Sequence, residues 1–300
     1  MKHTLVKGGA AALRAWYRHI PCKIGKRLVW RHVVARLLRS GMETEAPTVL
    51  GATIRVRFPD TVQSYVYFFG VWEPAITAYL TASLAPGDIV IDIGANVGYD
   101  SLLAAHCVGS SGRVYAIEAS PTVFRLLQDN LALNNATCVI AINAAVCASA
   151  GPITVFLHNS SNLGGTTIVP SVAQRRDAAQ EATVCGNLLT ALVPEAEICR
   201  ARLIKIDVEG AEWPVVQGFA ALLPRLSDRT ELLIEVSAQA LHDHGASVEE
   251  FLALFRAAGF QPFVIENRYS VDMYLEPVDA RLKPLTESDF EQLDLLFRRV

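Results

Sequence analysis

Acidic and glycine residues follow an apolar segment in the first half of the sequence, in an order that suits ligand binding. In residues 89–101, IVIDIGANVGYDS, an apolar run ends at Asp92 and continues through Gly94, Asn96 and Gly98. This pattern predicts a buried strand that passes through a glycine turn into a helix. The first N–H groups of a helix have no partner within the helix, so they bind anionic ligand groups. The turn therefore predicts a site for a nucleoside cofactor.

Two classes of cofactor compete for this turn, a dinucleotide and S-adenosylmethionine. The dinucleotide fingerprint is G-x-G-x-x-G, whose middle glycine lets a pyrophosphate approach the backbone. Asn96 occupies that middle position. The carboxylate of Asp92 would repel a pyrophosphate, whereas it would attract the ammonium group of S-adenosylmethionine, which carries no phosphate. The turn therefore favours S-adenosylmethionine, with its carboxylate at the start of the helix that begins near Val97.

Glu118 ends the next predicted strand and is the second acid expected at this site. An ionised carboxylate only accepts hydrogen bonds, and one placed about twenty residues after the glycine turn can bind the hydroxyls of a ribose. Both cofactors contain a ribose, so Glu118 does not separate them, and a solvated acid at a strand end is the alternative interpretation. Asn143, after the third predicted strand, is expected to border the adenine.

A second acidic motif, LIKIDVEGAEW at residues 203–213, supplies candidates for a general base. Carboxylates at the carboxyl end of a central strand face the crevice in which open α/β sheets bind ligands. Asp207 is the first candidate base and Glu209 is the second. His158 is the third, because an imidazole titrates near neutral pH and FLHNSSNLGG predicts a loop. Glu212 has a structural alternative, since an acid at a helix start is stabilised by the helix dipole.

The elements that must position these residues alternate between strand and helix from residue 88 onward. Strands that alternate with helices pair in parallel through right-handed crossovers. We therefore expect an α/β fold with an open, seven-stranded, mostly parallel sheet and helices on both faces. The predicted strands are residues 89–93, 113–117, 138–142, 202–207, 231–236, 262–266 and 271–276.

The chain divides into four predicted segments. Residues 1–45 form a basic, amphipathic helical arm, and residues 46–87 form a lead-in of strand and helix. Residues 88–277 contain the catalytic domain, and residues 278–300 form a helical tail. With 300 residues, 51% of them hydrophobic, the chain can bury a large core.

The net charge of −3 hides an asymmetry between the arm and the rest of the chain. Residues 1–40 contain ten Lys or Arg and no acid, so the remainder holds 17 basic and 30 acidic residues. The arm is suited to an anionic membrane surface or an acidic protein face, whereas the acidic remainder argues against a nucleic-acid partner. Charges interrupt the apolar stretches of the arm, which argues against a secretory signal.

The six cysteines are expected to be reduced, because they form no C-x-x-C pair and lie mostly among apolar residues. This composition favours a cytoplasmic protein, with peripheral membrane contact through the arm as an open alternative. The histidines are scattered and no cluster has metal-ligand spacing, so we expect no metal.

Taken together, the two motifs resemble the FkbM family of S-adenosylmethionine-dependent methyltransferases. The resemblance spans roughly residues 70–265. It implies a class I Rossmann-like methyltransferase fold, S-adenosylmethionine as the cofactor, and O-methylation of a sugar, glycan or secondary metabolite. Glu73 resembles the family's upstream acid, which implies a place in the donor pocket. The residues that carry the resemblance are WEP at 72–74, DIGANVGYDS at 92–101, GRVYAIEASP at 112–121, NLALNN at 130–135 and IKIDVEGAE at 204–212.

Two other functions remain open at this point. A nicotinamide-dependent oxidoreductase could use the same kind of sheet, and a non-catalytic protein could bind the donor without transferring a methyl group. A nucleic-acid methyltransferase is disfavoured, because no N-P-P-Y type motif follows the fourth predicted strand and no aromatic pocket for a flipped base is evident. The expected partner is therefore a small-molecule or glycan acceptor.

Overall fold

A computed structural model describes residues 2–20, 23–159 and 161–300. The predicted strands are rich in β-branched and other hydrophobic residues, which favour extended structure. Most of these segments form strands of one central sheet. The strands are β1 (Glu43–Pro47), β2 (Thr53–Arg57), β3 (Ile89–Ile93), β4 (Arg113–Glu118), β5 (Val139–Asn143), β6 (Ala145–Val146), β7 (Gly151–Leu157), β8 (Ala179–Asn187), β9 (Leu203–Ile206), β10 (Glu231–Ser237), β11 (Gln261–Ile265), β12 (Lys283–Pro284) and β13 (Gln292–Arg298).

Helices connect these strands and cover the sheet. A π-helical turn, Trp30–Val34, joins two short helices of the arm, and 3₁₀ turns occupy Leu163–Gly165 and Ala220–Arg225. The α-helices are α1 (Lys2–His19), α2 (Lys26–Val29), α3 (Ala35–Leu38), α4 (Thr61–Phe69), α5 (Pro74–Ser83), α6 (Tyr99–Val108), α7 (Pro121–Leu133), α8 (Pro170–Arg175), α9 (Leu189–Leu192), α10 (Glu195–Arg200), α11 (Glu212–Phe219), α12 (Ala238–Asp243), α13 (Val248–Ala257) and α14 (Val271–Leu275).

The main sheet of the described chain has the order β12-β11-β13-β10-β9-β3-β4-β5. Its central pairs, from β10 through β9, β3 and β4 to β5, are parallel. The chain winds outward from β3 through β4 and β5 and then returns to the other side of β3 with β9. This reversal creates a crevice at the carboxyl ends of β3 and β9, where open α/β sheets bind ligands. The mostly parallel Rossmann-like sheet expected from the sequence is confirmed.

Two apolar cores cover the two faces of the sheet. Along β3, Val90 belongs to one core, whereas Ile91 and Ile93 belong to the other. Successive side chains of a strand point to opposite faces, so a strand with apolar residues on both faces needs helices on both sides. Helices α6 and α7 contribute to the first core, and α11 and α13 contribute to the second.

The far edge of the sheet differs from the prediction. Residues 271–276 were expected to form a strand, but they contain helix α14, and the predicted helical tail at 278–300 contains strands β12 and β13. Strand β13 lies antiparallel between β10 and β11 and pairs with both. Its centre, residues 295–297, is fully buried, so burial between two strands decides its conformation. The short β12 adds an eighth strand to the sheet.

The basic arm is helical, as predicted, and packs on the lead-in segment. Helix α1 contacts α4, and the guanidinium of Arg18 donates to the carbonyl oxygens of Val66 and Tyr67 at 2.8 and 2.9 Å. The ammonium of buried Lys26 donates to the Tyr17 carbonyl at 3.0 Å. Within the described residues, no helix combines the length and the apolar character needed to cross a bilayer.

A second, three-stranded sheet, β6-β8-β7, lies beside the end of β5. Strands β6 and β7 precede the loop that borders the crevice, and β8 follows it. The loop after β7 carries His158 and the 3₁₀ turn, and it borders the crevice of the main sheet. The small sheet therefore positions one wall of the site.

Candidate active site

The loop after β3 has the conformation that its glycines predict. Gly94 has φ of +87°, Asn96 has φ of +49° and Gly98 has φ of +90°. The N–H groups of Gly94 and Ala95 both donate to the Ile117 carbonyl, at 2.9 and 3.0 Å. A Cβ atom at Gly94 would lie 1.8 Å from the carbonyl oxygen of Asp207. The loop therefore packs directly against the backbone at the end of β9, and only glycine fits at position 94.

The carboxylate of Glu118 is fixed by the same loop. One of its oxygens accepts from the Asn96 N–H at 2.9 Å, and the other accepts from the Ser120 N–H at 2.8 Å. The side chain is buried, and this burial raises the pKa of Glu118 to about 7. The Asn96 side chain in turn accepts from the Val97 N–H at 2.8 Å. These hydrogen bonds fix the loop after β3 and the Glu118 side chain relative to each other, at the carboxyl ends of β3 and β4.

A cavity of about 380 Å³ opens at these strand ends. Its size lies within the range of small-molecule and cofactor sites. The predicted site residues that line it are Glu73, Gly94, Asn96, Glu118, His158, Asp207 and Glu209. These residues come from separate parts of the sequence, and the fold brings them to a single crevice.

Three predicted residues lie behind the cavity lining. Asp92 is buried and accepts from the Ser101 hydroxyl at 2.5 Å. Burial raises its pKa to about 6 and the nearby Lys205 lowers it. A Cβ at Gly98 would lie 2.6 Å from the Leu127 side chain. Asn143 donates to the Glu118 carbonyl at 2.8 Å. None of the three lines the cavity, and their contribution to donor binding stays a prediction.

Lys205 is a buried cation among carboxylates. Its ammonium lies 2.9 Å from the Asp207 carboxylate and 3.3 Å from that of Asp100. Burial alone would lower the pKa of Lys205, but Asp207, Asp100 and other nearby acids raise it well above its usual range. Lys205 is therefore charged and holds the Asp207 carboxylate in place. About 28% of the Asp207 side chain remains exposed.

The loop after β9 is held from two sides. Glu209, at φ of +54°, pairs with the Arg176 guanidinium at 2.6 Å. Burial raises the pKa of Glu209 to about 8 despite this pairing. The carboxylate of Glu212 accepts from the N–H groups of Val208 and Gly210, at 3.2 and 3.0 Å. Glu212 is buried at the start of α11, so its role in the structure is to brace this loop.

A strap of residues 267–274 closes another side of the cavity. The Tyr269 hydroxyl lies 3.0 Å from a carboxyl oxygen of Glu73 and 2.9 Å from one of Glu235. A hydroxyl has only one proton to donate, so one of the two carboxyl groups must be protonated and donate to it. Burial raises the pKa of both acids, that of Glu73 well above its usual value and that of Glu235 to about 7. The Tyr269 ring stacks on Trp72.

The cavity has an excess of acidic groups. Its lining in the described chain contains six carboxyl groups and two permanent cations, Lys205 and Arg176. Both cations already contact carboxylates. Asp294 lies close to this group, and burial and Glu235 raise its pKa to about 8. Burial favours the neutral form of most of these carboxyl groups, so a bound cation would be stabilised by shifting them towards their ionised forms. A phosphate would find no free cation among the described lining residues.

A comparison with protein families decides the identity. The sequence model described as the methyltransferase FkbM domain matches residues 92–262, which cover more than half of the chain. The chain belongs to the FkbM methyltransferase family. The membership confirms the resemblance stated above and identifies the cofactor as S-adenosylmethionine.

Individual relatives agree with this family. The 31-O-demethyl-FK506 methyltransferase FkbM of Streptomyces tacrolimicus is 29% identical over 223 residues, which are 66% of this chain and 82% of the relative. The methyltransferase sdnD of Sordaria araneosa is 30% identical over 169 residues, 47% of this chain and 63% of its own. A solved structure of methyltransferase FkbM from Methylobacillus flagellatus KT aligns at 15% identity with a TM-score of 0.43, over 91% of this chain and 60% of its own.

The cavity of this FkbM methyltransferase fits its cofactor. S-adenosylmethionine carries a sulfonium and an ammonium, and the acidic lining complements both. Glu118 is a rigid hydrogen-bond acceptor at the strand end that faces the crevice. Asn96 stands where the dinucleotide fingerprint has its middle glycine. Among the described residues, no cation of the lining is unpaired. Both observations fit a donor without phosphate.

Three carboxylates of the FkbM methyltransferase lie at metal-ligand distances from one another. Oxygens of Asp207, Glu209 and Glu235 all fall within 4.8 Å of each other. The chain's own cations contact two of them, Lys205 at Asp207 and Arg176 at Glu209. These contacts balance part of the negative charge that a metal would otherwise neutralise.

Several lining residues were not found from the sequence. Lys205 interrupts the apolar strand LIKID, and Glu235 interrupts ELLIEV. A single charge inside an otherwise apolar, buried strand is a signal, because such a charge must have a partner. Tyr269 lies in a segment with no regular pattern, so nothing in the sequence near it points to the cavity.

The free energy of unfolding of the cofactor-free enzyme is expected to fall as the pH rises from about 5 to about 8. Burial raises the pKa of Glu118 to about 7 and that of Glu212 to about 8. These values exceed those of the unfolded chain, so the folded state binds more protons in this interval and deprotonation favours unfolding. Denaturant unfolding at a series of pH values measures the trend.

The variant Glu212→Gln is expected to flatten this pH dependence, because glutamine does not titrate. Glu249→Gln is the matched control, since Glu249 is exposed and its hydrogen bond from Ser288 lowers its pKa. Stability that rises over the same interval in the parent protein would contradict the assignment of neutral, buried acids.

Proposed function

We propose that this FkbM methyltransferase is an O-methyltransferase that transfers the methyl group of S-adenosylmethionine to a hydroxyl of a sugar, glycan or secondary metabolite. The observation that carries the proposal is the contact between the two motifs, in which the Gly94 backbone meets the Asp207 carbonyl. A candidate base thus lies beside the loop at residues 94–98, which we call the donor loop. The name of the Streptomyces relative, which specifies methylation at an oxygen, supports this type of reaction.

The donor loop and its neighbouring acid would hold the cofactor. S-adenosylmethionine supplies a methyl group on a sulfonium, which is an excellent leaving group. In the proposed site, the carboxylate of Glu118 accepts from the ribose hydroxyls, and the acids near Lys205 face the positive end of the donor. Positioning of the two reactants accounts for much of the acceleration in such transfers, on the order of 7 to 11 kcal/mol of barrier.

Asp207 is the preferred general base among the three candidates. Lys205 holds its carboxylate, and part of its side chain is open to the cavity. Glu209 is paired with Arg176, and its raised pKa of about 8 leaves it largely protonated at neutral pH. His158 lines the cavity, and burial lowers its pKa, so it is the second choice as a neutral base. A base of this kind contributes about 10² to 10⁴-fold to a transfer to an alcohol.

The acceptor proposed for this site is neutral or cationic. An acceptor that carries a carboxylate or phosphate close to the reacting hydroxyl would lose its hydration without gaining a cationic partner, because both cations of the described lining already contact carboxyl groups. A screen with methyl-labelled donor tests the function and this preference together. We expect transfer to neutral or amino-substituted hydroxyl compounds, with the label recovered as a methyl ether, and no transfer to the matching uronic acids or sugar phosphates.

The screen also separates the proposal from its rivals. Label recovered on nitrogen or carbon would contradict O-methylation, and the absence of any transfer with tight donor binding would favour a non-catalytic protein. Enhanced NADH fluorescence on mixing would favour an oxidoreductase.

We place the activity in the cytoplasm, where the free thiols of the five described cysteines would stay reduced.

The variant Glu118→Gln is expected to weaken S-adenosylmethionine binding about tenfold or more, a loss of about 1.4 kcal/mol. Glutamine replaces one acceptor oxygen by an NH₂ group, which cannot accept from a loop N–H or from a ribose hydroxyl. Titration calorimetry measures the affinity. The matched control is Glu181→Gln, because Glu181 accepts from the same Ser120 but does not line the cavity. Equal affinities in all three proteins would remove Glu118 from the donor site.

A further inference from the structure

The N-terminal helices carry apolar and basic side chains next to each other on their outer surface. Ile24 is 86% exposed and Leu28 is 64% exposed. Lys23, Arg27 and Arg31 are exposed as well. Arg31 lies four residues after Arg27 and three residues after Leu28 in a helical segment, so its side chain neighbours both of theirs, and Lys23 and Ile24 lead into this segment. We call these five residues the docking patch.

Apart from the ion pair of Arg27 with Asp272, no described side-chain contact uses the docking patch to pack the arm. The inner face of the same segment carries out that packing, with Lys26 and Val34 buried and Trp30 against Phe68. Among the described residues, four of the nine exposed large hydrophobic residues lie within residues 20–33. Exposed aliphatic side chains concentrated in a short segment indicate a surface that meets another apolar phase.

The sequence around the docking patch carries positive charge, whereas the rest of the chain is acidic. Residues 1–40 contain ten Lys or Arg and no acid, whereas the rest of the chain has 30 acidic and 17 basic residues. Within the described residues, the one ion pair at the patch joins Arg27 to Asp272 at 2.5 Å. An anionic surface would therefore attract the arm and repel the remainder of the enzyme, which fixes the orientation of contact.

We propose that the docking patch binds the interface of an anionic lipid bilayer. Apolar side chains enter the headgroup region and neighbouring cations contact anionic headgroups, which is how interfacial helices attach to membranes. A nucleic acid would match the cations but would gain little from Ile24 and Leu28, since its phosphates dominate its affinity for proteins. This inference goes beyond the proposed function and does not depend on it.

Vesicle sedimentation with the full-length protein tests the proposal. One set of vesicles contains phosphatidylcholine alone, and the other contains equal amounts of phosphatidylcholine and phosphatidylglycerol. We expect the protein to sediment with the anionic vesicles only, and to be released by high salt because salt screens surface charges. The measurement needs neither donor nor acceptor, so its outcome is independent of the methyltransferase assay.

Two double variants separate the apolar and the charged contributions. Ile24→Ser with Leu28→Ser, and Lys23→Ser with Arg31→Ser, are each expected to weaken vesicle binding about tenfold or more. All four side chains are exposed, so the fold should persist, which circular dichroism checks. The matched control combines Val49→Ser and Val278→Ser, since both are exposed valines outside the patch. The control is expected to bind like the parent.

Three results would overturn the proposal. The first is the absence of binding to anionic vesicles. The second is full binding by the variant that lacks Ile24 and Leu28, which would reduce the contact to charge alone. The third is binding to a duplex DNA probe, but not to vesicles, that depends on Lys23 and Arg31 only.

Discussion

Replacing Asp207 with asparagine is expected to abolish methyl transfer while donor binding is retained. Asparagine keeps the size of the side chain and an oxygen that can accept from Lys205, but it cannot take a proton from the acceptor. Loss of a general base lowers the rate by about 10² to 10⁴-fold. Transfer of labelled methyl to the acceptor found in the screen measures the rate at saturating donor, and titration calorimetry measures donor affinity.

Two further variants show whether the base has been assigned correctly. Glu209→Gln is expected to cause a smaller loss, because Glu209 is bound to Arg176 and largely protonated at neutral pH. His158→Gln tests the remaining candidate. In the parent enzyme, the acidic limb of the pH dependence of kcat/KM reports ionisation of the base, and this limb should disappear in Asp207→Asn. Parental turnover in Asp207→Asn would rule out its role.

Replacing Gly94 with alanine is expected to remove donor binding and to destabilise the fold strongly. The new Cβ would lie 1.8 Å from the Asp207 carbonyl oxygen and 2.8 Å from its carbon. Both atoms belong to the backbone at the end of a central strand, so neither can move aside without displacing the crevice. Denaturant unfolding and donor calorimetry should both show the loss.

A matched glycine separates this clash from backbone strain. Gly51 has φ of +85°, close to the +87° of Gly94, but apart from its two chain neighbours no heavy atom of the described residues lies within 4 Å of its Cβ position. Gly51→Ala should therefore cost only the strain of a left-handed residue, about 1 to 2 kcal/mol. Gly94→Ala should cost several times more and should alone affect the donor. Equal losses in the two variants would contradict the close contact in the crevice.

The donor loop could be predicted because its signal is local. An apolar strand, two glycines and an acid in a short segment specify both the turn and its place at a sheet edge. The direction of the Asp92 side chain could not be predicted in the same way. Asp92 is the last residue but one of β3, a strand with both faces buried, and the alternation of side chains directs it towards Ser101 rather than into the cavity.

The far edge of the sheet shows where local patterns fail. VDMYLE and QLDLLFR are both short, mixed segments, and neither has a clear period. The second becomes a strand because β10 and β11 leave a gap that it fills, with Leu295, Leu296 and Phe297 buried. Such an insertion depends on contacts between distant parts of the chain, so propensity alone does not reveal it.

The backbone contact between Gly94 and Asp207 also bears on efforts to redesign this enzyme for other acceptors. Since the two backbones touch, the spacing between the donor loop and the proposed base, Asp207, is set by the sheet itself. Described residues of the loop after β7, at 158, 162–164 and 166–168, and Tyr269 of the strap border the same cavity without taking part in that contact. Libraries confined to these two segments should therefore change acceptor choice while preserving the reaction geometry.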